Sequence, residues 1–151
     1  MSSKEELICL LQEQIRIEQQ TIDSISEALQ NSRNTAFRLL LNTVQMDATK
    51  YRNICQALID LLSGSAVHLI DKVGMTKIAK QHLSLEEDAL RNIGQAIKKA
   101  EEANVKTLLQ FIESDERKHH EALESLINRI QTPEEISFQD ELGYFLRPLF
   151  G

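Results

Sequence analysis

Apolar residues recur every three or four positions through most of this chain, which is the period of an amphipathic helix. Leu7, Leu11, Ile15, Ile22, Ile25 and Leu29 form the first stripe, behind a Ser3-Lys4-Glu5-Glu6 capping box, in which the serine caps an amide and the glutamate reaches back. The stripe predicts a helix to about residue 31. Asn31-Ser-Arg-Asn-Thr35 breaks the period with cap and turn residues. A second helix then runs to Ser63-Gly64, with Phe37, Leu40, Val44, Ile54, Leu58 and Leu61 inward. Residues 64–75, bounded by two glycines, read as a connector. Further helices are predicted over about 76–100 and 104–131, and Thr132-Pro133-Glu134-Glu135 ends the last of them.

Composition narrows the fold to all-α. Both prolines, Pro133 and Pro148, lie beyond residue 132, and the chain has five glycines and no Trp. A β-sandwich or barrel would need many more turn residues. No apolar run reaches the roughly 18 residues of a membrane span. The acidic start lacks the basic and apolar stretches of a signal peptide, so a cytoplasmic protein is expected. Cys9 and Cys55 have no CxxC spacing and read as small apolar residues. A net charge of −6 without a basic cluster excludes nucleic acid as a natural partner.

The chain also repeats internally. A shift of 68 residues lays the first hairpin, about 3–63, on the second, about 76–131, without a gap. Glu18 falls on Glu86, Ile25 on Ile93, Leu40-Leu41 on Leu108-Leu109, Asp47 on Asp115 and Lys50 on Lys118. Two hairpins of one design predict a four-helix bundle over 1–131 with pseudo-twofold symmetry, followed by a short helical tail over 132–151.

Each predicted helix carries an acid inside its apolar stripe. Glu18 stands between Ile15 and Ile22, and Asp47 between Val44 and Ile54 with Tyr51 one turn on. Glu86 stands between Leu83 and Leu90 with His82 one turn before it. Asp115, Glu116 and His119 interrupt the fourth stripe. Converging carboxylates in an apolar core repel each other and lose hydration. They need protons, cationic partners or metal ions, and a histidine among them favours iron, manganese or zinc. The alternative is that some of these acids sit on the flank of the stripe and reach water.

Glu18, Glu86 and the run Asp115-Glu116-Arg117-Lys118-His119 together resemble the ferritin-like superfamily, particularly its rubrerythrin-like members. That superfamily takes a Glu from each of two helices and a Glu-x-x-His from each of the other two. The resemblance covers residues 1–131. It implies a ferritin-like bundle with a di-iron or di-manganese centre acting on oxygen, peroxide or stored iron. The metal residues it implies are Glu18, Asp47, Glu86, Asp115, Glu116 and His119, with Lys50, Tyr51 and His82 as neighbours or substitutes. The first hairpin departs from the pattern: Ala48 and Tyr51 stand at the positions of Glu116 and His119, and a one-residue slide puts Lys50 in the histidine place. An ammonium cannot ligate. Three states follow: an asymmetric two-metal site, one metal on Glu86, Glu116 and His119, or a metal-free site stabilised by Lys50.

His119-His120-Glu121 also has a haemerythrin-like look, but four histidines in all fall short of the about five such sites use, and His120 reads as a surface neighbour of His119. His68 reads as a solvated or capping connector residue. Four of the seven aromatic residues, Phe138, Tyr144, Phe145 and Phe150, lie in the tail. Such a segment needs cover: its own bundle, a second subunit in a homodimer or higher oligomer, or, by analogy with some ferritin-like proteins, a protein shell. Two functions compete on these residues: a metalloprotein of ferritin-like type, possessing iron or manganese, and a metal-free bundle serving as an oligomeric or partner-binding module.

Overall fold

The computed structural model describes residues 1–64 and 72–130, together with Arg147 and Leu149. Those residues form four long helices, α1 (Ser3–Asn31), α2 (Thr35–Ser63), α3 (Lys72–Lys99) and α4 (Ala103–Ile130). No helix among them is long and apolar enough to cross a membrane. They fall into two compact units, a hairpin of α1 on α2 and a hairpin of α3 on α4. The repeat offset of 68 carries Thr35, the start of α2, onto Ala103, the start of α4. The end of α1 maps in the same way onto the end of α3. The segment 65–71, with His68, and the expected tail over 132–151 lie outside the described residues, apart from Arg147 and Leu149.

Local chemistry explains the helix ends. Ser2, not Ser3, caps α1: its Oγ accepts from the Glu5 amide at 3.2 Å, and Glu5 accepts from the Ser2 amide at 2.7 Å. The capping box is therefore one residue earlier than the Ser3–Glu6 spacing suggested. Both serines have a glutamate three positions on, and Ser2 is the one with extended backbone. Asn34 caps α2 by accepting from the Phe37 amide at 2.9 Å. Arg38 closes this turn, its guanidinium donating to the carbonyls of Leu29 and Ser32. The helix α3 starts at Lys72 rather than near residue 76. Gly74 lies inside its first turn, where a glycine costs only about 1 kcal/mol relative to alanine.

Packing within each hairpin is narrow. In α1–α2 the buried apolar residues are Ile25, Ala48 and Cys55, and in α3–α4 they are Ala79 and Ile127. Ala48 and Cys55 are seven residues apart on α2, the spacing of a single helix–helix seam. Phe37, Leu40 and Val44, expected to face inward, are 48%, 58% and 41% exposed. The apolar arc of α2 is thus wider than the seam with α1 that it covers. Polar ties cross the first seam as well. Gln45 Nε2 donates to the Ile22 carbonyl at 3.1 Å and to Ser26 Oγ at 2.7 Å, and Arg52 Nη1 donates to Gln19 Oε1 at 2.7 Å.

Two glycines respond oppositely to a methyl group. Gly64 closes α2 in the left-handed region at φ 70°, where an L-residue clashes with its own carbonyl. Gly94 lies within α3, and a Cβ built there meets nothing within 4 Å. Gly64→Ala is expected to destabilise the protein by about 1 kcal/mol, and Gly94→Ala to stabilise it by about 0.5–1 kcal/mol. Urea denaturation of the two variants reads both signs, and equal signs would contradict this account.

Candidate metal centre

Glu86 on α3 and Glu116 and His119 on α4 are brought together across the second seam. Glu116 and His119 lie one turn apart on the same face of α4. The antiparallel pairing of the hairpin lowers Glu86 onto both. His119 Nδ1 is 3.7 Å from Glu86 Oε1 and 3.6 Å from Glu116 Oε2. One ligand atom from each residue fits within 4.8 Å of the others, and this is the one such group of three among the described residues. Donors held about 2.1 Å from a common ion are at most about 4.2 Å apart. The two histidine distances already satisfy that limit.

Glu86 is the least exposed member, at 20% against 26% for Glu116 and 49% for His119. Its Oε2 is sealed from solvent and finds no hydrogen-bond partner among the described residues. Burial, and then the facing Glu116 carboxylate, push its carboxyl up to about 7, while His119 and His120 oppose part of that rise. Two carboxylates in contact cannot both stay ionised without a counter-ion. A proton shared between Glu86 and Glu116 answers the conflict in one way. A cation seated between them, with the imidazole completing its ligands, answers it in another. The donor set, two carboxylates and one imidazole, suits manganese, iron or zinc.

The remaining sequence-derived residues are placed differently. Asp115 is 46% exposed and faces Lys118 at 3.9 Å. Its repeat mate Asp47, also 46% exposed, faces Lys50 at 3.0 Å. Both aspartates lie on the flank of their stripes, each with a lysine three residues on. Lys50 also lies over the Tyr51 ring, 5.2 Å from its centroid, and Tyr51 is 45% exposed. Glu18 is half-buried and accepts from Gln14 Nε2 at 2.7 Å. At the position matching Glu116, Ala48 is buried against α1. His82 is exposed on α3.

His120 is not the surface neighbour of His119 that the sequence suggests. Its side chain is 22% exposed, less than that of His119, and it lies across the seam from Glu87 at 3.4 Å, with Glu124 at 3.8 Å from its other ring nitrogen. The signal was in the repeat: residues 19 and 52 correspond to 87 and 120, and Gln19 with Arg52 makes the matching tie in the first hairpin.

Because the folded chain holds the Glu86 proton more tightly than the unfolded one, this group's stabilising contribution is complete below about pH 4.5 and is lost as pH rises through about 7. In metal-free protein, the stability difference between wild type and Glu86→Gln is expected to shift in favour of the variant across that window. Urea midpoints at a series of pH values test this, and a difference that does not vary with pH would rule it out. No protein-family model, curated protein or solved structure matches the chain.

Proposed function

We propose that this chain is a metal-binding protein of ferritin-like design whose second hairpin holds one iron or manganese ion through Glu86, Glu116 and His119. The observation that carries this reading is the three-donor cluster with the sealed, unpartnered Glu86 Oε2 at its least exposed point. A single ion is favoured over two because the first hairpin has Ala48 and Tyr51 where the second has Glu116 and His119. Three protein ligands leave coordination positions open, and the bound metal would supply reactivity toward oxygen or peroxide there. The protein's share is to seat and orient the ion, to give up the Glu86 proton on loading, and to keep the buried carboxylate edge dry.

The ferritin-like part of the proposal is a bundle built from the two hairpins. Exposed apolar residues recur at repeat-related positions: Leu10 and Ile78, Ile17 and Leu85, Phe37 and Val105, Leu40 and Leu108, Val44 and Ile112. Faces so alike in both hairpins need like covers. A second reading, a metal-free module for oligomers or partners, is supported by the exposed apolar residues of both hairpins and by the first hairpin's lack of a Glu-x-x-His.

The two readings part on metal content. After anaerobic reconstitution with Fe(II) or Mn(II), elemental analysis is expected to give about one ion per chain, with Glu86→Ala and His119→Ala each losing at least about tenfold in affinity. Free metal at about 100 times the wild-type Kd should raise the unfolding free energy by about 2.7 kcal/mol in wild type and by no more than about 1.4 kcal/mol in either variant. Far less than one ion per chain, with a melting temperature indifferent to metal, would favour the metal-free module.

A further inference from the structure

Residues 86 and 87 are neighbours on α3, about 100° apart around the helix, yet both reach α4. Glu86 meets His119 at 3.7 Å, and Glu87 meets His120 at 3.4 Å. These contacts form two adjacent rungs between α3 and α4. Only the first belongs to the metal cluster. In the second, His120 is held from both sides, its Nε2 toward Glu87 and its Nδ1 toward Glu124 at 3.8 Å. Packing of Ala79 and Ile127 already seats α4, and a second tie at the neighbouring position adds resistance to a roll of α4 about the Glu86–His119 contact. A roll of α4 moves Glu116 and His119 together away from Glu86, so the cluster's geometry depends on the outer rung.

The first hairpin shows that this outer rung is separable from metal chemistry. Its counterpart is the Arg52–Gln19 bond of 2.7 Å, beside Ala48 and Tyr51, which make no cluster. The same position thus carries a cross-seam tie in both hairpins, built from different side chains. From this juxtaposition we infer that His120, through Glu87, is a positioning residue for the Glu86–Glu116–His119 site, holding the α3–α4 register without touching the metal. The inference rests on the metal-site reading above.

The test exchanges one tie for the other. Co(II), whose visible absorption reports its ligand geometry, is titrated into wild type, His120→Ala, Glu87→Ala and the double variant E87Q/H120R, which transplants the tie of the first hairpin. Both alanine variants are expected to lose on the order of tenfold or more in Co(II) affinity, and E87Q/H120R to recover most of it. A second readout uses metal-free protein: the nuclear Overhauser contact between the Glu86 γ protons and the His119 ring should weaken in both alanine variants and return in the double variant. Circular dichroism establishes that each variant is helical, and Glu87→Ala serves where His120→Ala does not fold. Unchanged affinity and an unchanged Overhauser contact in the alanine variants would overturn the inference. So would a loss that E87Q/H120R fails to rescue, because His120 would then act by its own chemistry. If wild type binds no Co(II), the metal-site reading fails, and the Overhauser series alone still decides whether His120 holds the register.

Discussion

Two antiparallel helices share a single seam, and that seam limits how much either hairpin can bury. Small and medium side chains line it: Ala48 and Cys55 in the first hairpin, Ala79 and Ile127 in the second. Small residues let the backbones approach closely, so that Gln45 and Arg52 span the first seam to Ile22, Ser26 and Gln19. The same closeness brings Glu86 against His119. The broad apolar arcs on either side have no place in the seam, which is why Leu40 and Leu108 are both more than half exposed.

The electrostatics of the cluster follow from its position at the edge of this seam. An acid on the flank, such as Asp47 or Asp115, keeps its water and takes a lysine from the next turn. Glu86 is turned far enough inward that one oxygen loses solvent, and the carboxylate it meets there is of like charge. Dehydration and repulsion act in the same direction, and together they raise its proton affinity. A rotation of about one residue around the helix separates these two outcomes.

That rotation also marks how far the amino-acid pattern could be read. The period of three and four, with the offset of 68, located both hairpins and most helix ends, because caps and periodicity are local properties. Gly74 was read as a break because a glycine's tolerance inside a helix depends on the surrounding turns. Periodicity showed that Phe37, Leu40 and Val44 belong to an apolar arc, but an arc wider than one seam does not say which part meets the neighbouring helix. Glu86, Glu116 and His119 were legible as polar interruptions of a stripe. Asp47 and Asp115 interrupt it too, yet they stand at its flank, where each is paired with a lysine three residues on. His120 does not interrupt the apolar stripe as Glu116 and His119 do, and only comparison with Gln19 and Arg52 pairs it with Glu87.

The turn between α1 and α2 has a bearing on the order in which structure forms. The last turn of α1 holds no basic residue, whereas α3 ends in Lys98 and Lys99. The cation that α1 lacks at its negative end is supplied by Arg38, from the first turn of the next helix, on the carbonyls of Leu29 and Ser32. Arg38 reaches the Leu29 and Ser32 carbonyls only when the turn has closed, so this tie forms with the first hairpin and not with α1 alone. The tie that finishes α1 therefore belongs to the hairpin, whereas the lysines at the end of α3 belong to α3 itself.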